Sequence, residues 1–342
     1  MAKVSLNADV LRLIVQEAAR STTSSSSIEA FHQRSSTLRR LSLVESRWRA
    51  LAQLELERVV VLTTRNFASV SKAVLDERRA FASRVRKLVD KRGTATRDRK
   101  KFEEVIERCK GLRELECHGS RLSLDSLRFL RDLRSLSLTN TKIEPARDDE
   151  RRSGGLPFHL RSFMLAGTSS LGPNDWKTLK EAGASTLEHL ELRGRMLPSS
   201  SQCAGVIGAL SVWLETVRTL DIADLLDSTR VVVPALANCR NLEQVAVNLS
   251  DFPQFVDSVS HCAPQHVEVV ASSDVVDEWT FLDYQSNVLF AIGKAPFDRV
   301  ETVKVSRAPG IDDSAGSRET ALFVKVGKRK TKHARVVDKS LC

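Results

Sequence analysis

The strongest constraint on this chain is a short pattern that recurs without repeating letter for letter. CKGLRELEC (109–117), LRDLRSLSL (130–138), HLRSFML (159–165), TLEHLEL (186–192), TVRTLDI (216–222), CRNLEQVAV (239–247) and DRVETVKV (298–305) share one arrangement. An apolar residue is followed by two others, then an apolar residue, one other and a further apolar residue. The first apolar positions of six of them, Leu112, Leu133, Leu160, Leu187, Val217 and Leu242, lie 21 to 30 residues apart. A period of that size marks units that each supply one short strand and one helix. A single unit cannot bury its own apolar face, so units stack and share a continuous core. Strand and helix in alternation predict a parallel sheet with helices on its outer side. Such an array is a surface for binding, with no evident place for chemistry.

Strand parity says which side chains leave the core. With Leu115 and Cys117 inside, Glu114, Glu116 and His118 face out. The same rule puts Lys87 and Lys91 ahead of them on the exposed face. Ser135, Ser137 and Thr139 follow, then Ser162 and Met164, then His189, Glu191 and Arg193, then Thr219 and Asp221, then Gln244 and Asn248. From this row Lys87, Lys91, Glu114, Glu116, His118, Ser137, Met164, His189, Glu191, Arg193 and Asp221 are the candidates for contact with a partner. The row is polar and of mixed sign, without a repeated aromatic, which suits a protein target better than a nucleic acid backbone.

Before the repeats, LNADVLRLIVQEAAR (6–20) has the spacing of an amphipathic helix. A serine-rich loop follows (21–27), then a short helix (28–36), then a helix over 37–58 that runs into the β-branched strand VVVL (59–62). Further helices are predicted at 66–81, 100–109, 174–182, 202–214, 228–238, 253–262 and 278–295. The charged stretch 144–157 reads as an insertion, and TALFVKV (320–326) as the end of the array.

Residues 6–54 resemble an F-box. Leu6, Asp9, Leu11, Ile14, Leu41, Ser42, Leu43, Val44, Arg47, Trp48 and Leu51 stand at positions that match the family pattern. Asn7 replaces the usual proline, and 21–36 is longer than the family's loop. Together with the repeats, which resemble leucine-rich repeats, this is the arrangement of fungal-type F-box proteins with C-terminal leucine-rich repeats. The resemblance implies an α/β fold: a short helical F-box over 1–58, then a leucine-rich-repeat solenoid over 59–326 with parallel strands on its concave side and helices on its convex side. A basic, disordered tail occupies 327–342. It further implies the substrate-recognition subunit of a Skp–cullin–F-box ubiquitin ligase. A Skp-type adaptor, and through it a cullin, would bind Leu6, Val10, Leu11, Ile14, Leu41, Val44, Trp48 and Leu51. An unidentified protein target would bind the repeat face. No cofactor, metal or membrane partner is implied, and the chain itself would be non-catalytic. Physical chemistry supports a partner independently, because about 50 residues in short helices cannot bury this many large apolar groups alone. The alternative is a repeat scaffold whose N-terminal helices only cap the array.

Composition adds limits. An apolar fraction of 42% and a charged fraction of 28% are those of a folded globular chain. Asp9 and Glu17 interrupt the only apolar stretch near the N-terminus, so no signal peptide is expected. The longest uncharged run (196–214) contains Pro198, a serine triplet and Gln202, too polar to span a bilayer. The six cysteines show no CxxC spacing, and Cys109 and Cys239 sit three residues before Leu112 and Leu242, where a small buried thiol suits a helix-to-strand corner. A reducing compartment, cytoplasmic or nuclear, follows. HCAPQH (261–266) lacks a fourth ligand for a metal, and no phosphate-binding or nucleophile motif occurs.

The net charge of +10 is local: residues 72–101 carry twelve Lys/Arg against four Asp/Glu, and 325–335 carry six Lys/Arg and no acid. The cluster Arg84, Arg86, Lys87, Lys91, Arg92, Arg97, Arg99, Lys100 and Lys101 reads either as a site for an acidic or phosphorylated segment or as a solvated loop. The tail reads either as a nuclear signal or as a solvated end. Nucleic acid binding through the two segments would show steep salt dependence.

Overall fold

The computed structural model describes residues 8–20, 28–44, 46–76, 80–93, 98–144, 155–167, 171–195, 200–226, 232–259, 264–271, 288, 300–307, 319–325 and 335–337. Three helices come first: α1 (Ala8–Arg20), α2 (Ile28–Ser42) and α3 (Ser46–Arg58). Val15 and Ala19 of α1 lie one helical turn apart on a single face. They meet Leu38 of α2 and Ala52 of α3 in a small core of their own, against which Leu41, Trp48, Leu51 and Leu56 pack. The predicted break near residue 36 does not occur. The Thr37 hydroxyl donates back to the Gln33 carbonyl at 3.0 Å, so Thr37 satisfies its hydroxyl within the helix. The turn falls instead at Leu43 and Val44, whose N–H groups donate to the Arg40 and Leu41 carbonyls.

The chain then passes without a linker into β1 (Val59–Leu62). Two helices, α4 (Phe67–Leu75) and α5 (Phe81–Arg84), stand where one was predicted over 66–81. Next come β2 (Lys87–Asp90), α6 (Arg99–Arg108), β3 (Glu114–His118), β4 (Arg121–Ser123), β5 (Ser135–Thr139) and β6 (Lys142–Glu144). They are followed by β7 (Ser162–Ala166), α7 (Pro173–Gly183), β8 (His189–Leu192), β9 (Gly194–Arg195), α8 (Ser200–Trp213), β10 (Thr219–Asp221) and β11 (Leu225–Leu226). The last elements are β12 (Gln244–Asn248), α9 (Phe252–Ser258), β13 (His266–Ala271), β14 (Thr302–Arg307), β15 (Glu319–Lys325) and β16 (Arg335–Val337). The helix predicted over 228–238 is a 3₁₀ turn, Val233–Asn238, entered through Pro234. Of the helix predicted over 278–295 only Val288 lies within the described residues, and most of the 144–157 insertion lies outside them.

Twelve strands form one sheet in the order β1-β2-β3-β5-β7-β8-β10-β12-β13-β14-β15-β16. This is chain order, with only the short strands β4, β6, β9 and β11 set aside in two parallel pairs. Every neighbouring pair from β1 to β14 is parallel. The end differs from expectation, because β15 and β16 return antiparallel. Residues 335–337, within the segment predicted to be a disordered tail, thus form an edge strand.

Register stacks the repeated apolar positions into rows. Leu88, Leu115, Leu136, Phe163, Leu190, Leu220, Val245, Val267 and Val303 stand side by side across the sheet. They belong to one large core with Phe102, Val105 and Ile106 of α6, Trp176 and Leu179 of α7, and Leu210 and Trp213 of α8. Phe163 and Trp213 meet edge-on with ring centroids 5.3 Å apart, a geometry aromatic quadrupoles favour. Cys109, Cys117 and Cys239 are free thiols buried in the same core. Burial pushes the Cys109 thiol up to about 12, so it acts as a small hydrophobe.

Past the strands the backbone repeats a left-handed step. Gly119 (φ 67°), Asn140 (φ 49°), Gly167 (φ 71°) and Gly194 (φ 79°) occupy equivalent places. Each of these N–H groups donates to the next unit: Gly119 to Thr139, Asn140 to Ala166, Gly167 to Arg193 and Gly194 to Asp224. Gly194 has no room for a side chain, since a Cβ there would lie 2.9 Å from the Gly167 backbone. Gly194→Ala is therefore expected to cost about 2 kcal/mol or more, from left-handed strain of about 1–2 kcal/mol plus the clash. Gly208→Ala, in α8 with nothing within 4 Å of the added Cβ, is expected to stabilise by about 0.5–1 kcal/mol. Urea denaturation of both variants checks this, and equal effects would contradict it.

Candidate protein-binding surfaces

The sheet face away from the helices carries the out-facing rows. Glu114, Ser135, Ser162, His189, Thr219, Gln244, His266 and Thr302 form one line, and Glu116, Ser137, Met164, Glu191, Asp221, Ala246, Glu268 and Lys304 form the next. The structure thus brings together the residues that parity selects from 87 to 248. It also extends the rows through His266, Glu268, Thr302 and Lys304, which were not among the sequence candidates. The same alternation in PQHVEV (264–269) and VETVKV (300–305) carries that signal.

Charges on this face are organised into clusters. Lys87 Nζ lies 3.2 Å from Glu114 and 2.5 Å from Glu116, and His118 Nε2 is 3.9 Å from Glu116. Burial works against the Lys87 ammonium, but the Glu116 and Glu114 carboxylates outweigh it and raise its pKa. Burial likewise works against the Glu116 carboxylate, yet His118 and Lys87 hold it below its usual value. Lys91 is depressed by burial, with Glu116 opposing and Lys87 reinforcing. Further along, Arg193 Nε lies 2.5 Å from Glu191 and 3.7 Å from Asp224, and its Nη2 is 3.7 Å from Asp221. Between these clusters, the Ser137 hydroxyl donates to Met164 Sδ at 3.1 Å, and His189 is exposed.

Toward the C-terminal strands the face forms a depression of about 300 Å³ over Ala246, bordered by Asp221, Gln244, His266, Glu268, Thr302 and Lys304. His266 Nδ1 and Thr302 Oγ1 are 2.7 Å apart. Glu268 accepts from Lys304 at 3.0 Å and from the Ser306 hydroxyl at 2.7 Å.

Most of the described arginines in the basic cluster at 84–101 are engaged within the chain, while Lys100 is exposed. Arg92 grips Asp90 through Nε at 2.7 Å and Nη2 at 2.9 Å. Its guanidinium lies over the rings of Phe67 (3.8 Å) and Phe102 (4.6 Å), where desolvated cation–π contact is strongest. Asp90 is fully buried and also accepts from the Ser120 hydroxyl at 2.6 Å. Arg84 pairs with Glu57 at 2.7 Å. Arg99 pairs with Glu103 at 2.9 Å and also with Glu144. Arg86 Nη1 donates to the Ser83 and Gly111 carbonyls, at 2.9 Å each. These cations tie units together, and Arg97 lies outside the described residues.

A second surface belongs to the N-terminal helices. Of the predicted adaptor contacts, Val10, Ile14 and Val44 are exposed, while Leu41, Trp48 and Leu51 are half-buried against the helical core. Leu11 is only 3% exposed and faces inward, a correction to its placing among the contacts. Leu6 lies outside the described residues. Leu13 (63% exposed) and Leu43 (79%) are exposed as well, with Val44 at 67%; for a folded chain that is an unusual degree of apolar exposure.

No protein-family model matches this chain, and no curated protein matches it. Among the described residues, no helix is long and apolar enough to cross a membrane. Nor does any group of three His, Cys, Asp or Glu among them stand ready for a metal ion. Functional reading rests on the surfaces themselves.

The Lys87–Glu116 pair makes stability depend on pH. Glu116 is depressed below its ordinary 4.5, so its contribution is complete above that value and is lost as pH falls through the folded-state pKa. Lys87 is raised above its ordinary 10.5, so its share persists at neutral pH and is lost as pH climbs through its folded value. Glu116→Gln is expected to cost about 1 kcal/mol at about pH 7 and much less at about pH 3, by urea denaturation. An equal loss at both pH values would contradict the coupling.

Proposed function

We propose that this chain is a non-catalytic receptor: a helical F-box followed by a leucine-rich-repeat solenoid, serving as the substrate-recognition subunit of a Skp–cullin–F-box type ubiquitin ligase. The observation that carries the reading is the apolar surface of Val10, Leu13 and Ile14 on α1 and Leu43 and Val44 at the α2–α3 turn. These side chains sit on helices that already own a filled core, so their exposure serves nothing within the described chain. A Skp-type adaptor that covers them would remove about 25 cal/mol of unfavourable hydration per Å². The chain-ordered parallel strands, the left-handed step after four of them and the single shared core support the solenoid. The polar, mixed-sign face supports a protein target held beside the ligase. The work done there is tethering: it raises the effective concentration of the target's lysines near the charged conjugating enzyme.

α3 also runs directly into β1 and packs against it and α5, which favours a capping role for the same helices. Docking and capping are compatible, and one experiment separates capping alone. Full-length chain co-expressed with a Skp-type adaptor is expected to co-elute with it in size-exclusion chromatography. Ile14→Asp with Val44→Asp is expected to abolish co-elution while the chain stays folded by circular dichroism. These exposed positions serve better than Trp48, whose loss would also disturb the helical core. A folded native chain that elutes alone would contradict the receptor reading and leave a scaffold with a capped end.

A further inference from the structure

In the parallel part of the twelve-stranded sheet each strand is preceded by a polar residue that is exposed or half-buried. In chain order these residues are Arg58, Arg86, Arg113, Arg134, Arg161, Glu188, Arg218, Glu243, Gln265 and Glu301. They are direct neighbours. Arg86 N donates to the Arg58 carbonyl, Arg113 N to Arg86, Arg134 N to Arg113, Arg161 N to Arg134 and Glu188 N to Arg161, all at 2.8 Å. Five arginines therefore stand in register, about 4.8 Å from one to the next, a run of about 19 Å.

Packing gives no reason for this row. Arg113, Arg134 and Arg161 are exposed, and like charges placed directly opposite in a sheet are destabilising. The ends of the run are partly occupied: Arg58 pairs with Glu55 at 2.6 Å, Arg86 caps carbonyls, and Arg161 lies 3.8 Å from Glu188. Among the described residues the two central arginines, Arg113 and Arg134, have no carboxylate within 4 Å. Exposed Lys110 precedes Arg113 on the same turn and adds to the positive field, while exposed Arg131 before Arg134 is offset by its neighbour Asp132. Beyond Arg161 the row changes sign, with Glu188, Glu243 and Glu301 against Arg218 alone.

We propose that this edge binds an extended protein segment with an acidic block of about six residues followed or preceded by basic ones. Six residues at about 3.3 Å each match the length of the arginine run. Arginine forks are suited to carboxylates, and the adjoining basic residues of the segment would meet the glutamates beyond Arg161. A nucleic acid strand fits less well, because its uniform negative charge would be repelled where the row turns acidic. The site lies at the sheet edge and only Arg58, the last residue of α3, belongs to the N-terminal helices, so the inference stands whether or not those helices dock an adaptor.

The test is fluorescence anisotropy with the full chain at about 0.1 M salt, where the Debye length is about 10 Å. The probe is a labelled peptide of about six glutamates and three lysines in separate blocks, compared with an alternating peptide of the same composition. The block peptide is expected to bind more tightly than the alternating one. Arg113→Gln with Arg134→Gln is expected to weaken the block peptide about tenfold or more, and Arg218→Gln is expected not to weaken it. Exposed substitutions of this kind leave folding nearly unchanged, which circular dichroism verifies. No binding to the native chain, or a double variant within about twofold of it, would overturn the proposal. So would tighter binding of a single-stranded oligonucleotide of equal charge through the same two arginines.

Discussion

One backbone contact sets the rest of this molecule: a carbonyl just before each strand accepts two N–H groups from the following unit. Arg113 O takes Arg134 N at 2.8 Å and Ser135 N at 3.0 Å, and Arg134 O takes Arg161 N and Ser162 N at the same distances. Glu188, Arg218, Glu243 and Gln265 continue the ladder. A slip of one residue in a sheet exchanges its two faces. Locking each unit at its first strand residue therefore locks the leucines inside and the polar rows outside along the whole array. The left-handed residues past β3, β5, β7 and β8 form a second ladder, so these units are held on both sides of their strands.

Held this way, the sheet presents different chemistry on different surfaces. Its open face is a series of small ion clusters: those around Lys87 and Lys304 are balanced or nearly so, while Arg193 faces three carboxylates, Glu191, Asp221 and Asp224. Such a face discriminates partners by charge placement more than it drives affinity. In the core of the sheet the buried charge is matched: Asp90 is met by Arg92 and Ser120, and Arg92 is flanked by two phenylalanine rings. Removing one member of such a buried pair costs about 3–5 kcal/mol, so this clamp belongs to the architecture and not to the binding surface. Within the N-terminal helices buried Arg34 donates to the Glu55 carbonyl, but its Nε and Nη1 have no described partner. Among the described residues the strongest apolar exposure is on the N-terminal helices, at Leu13, Leu43 and Val44, with Phe129 the one large exposed apolar side chain beyond them.

Much of this was legible from residue patterns. The spacing of Leu112, Leu115 and Cys117, repeated down the chain, identified the strands, and parity identified their faces, because both depend only on period. What failed were features that depend on distance. The 84–101 cluster read as accessible charge because sequence gives no sign that Arg92 reaches Asp90 or that Arg99 reaches Glu144. Leu11 was assigned outward with Ile14, although the α1 face with Val15 and Ala19 turns it inward. The Ser–Ser–Thr run at 35–37 read as a break because local bonding of Thr37 to Gln33 is invisible to composition. The antiparallel return of β15 and β16 was missed for lack of any repeated motif there. The arginine edge was in plain view as Leu–Arg or Val–Arg at residues 85–86, 112–113, 133–134, 160–161 and 217–218.

Hydrogen–deuterium exchange of the native chain, resolved along the sequence, tests the ladder most directly. Backbone bonds inside a shared core open only with much of the unit. The amides of Arg113, Arg134, Arg161, Glu188 and Arg218, although their side chains are at the surface, are predicted to exchange as slowly as those of Leu115 and Leu136. Rapid exchange at these five amides beside protected strands would contradict the account, because each unit would then be free to shift against the next.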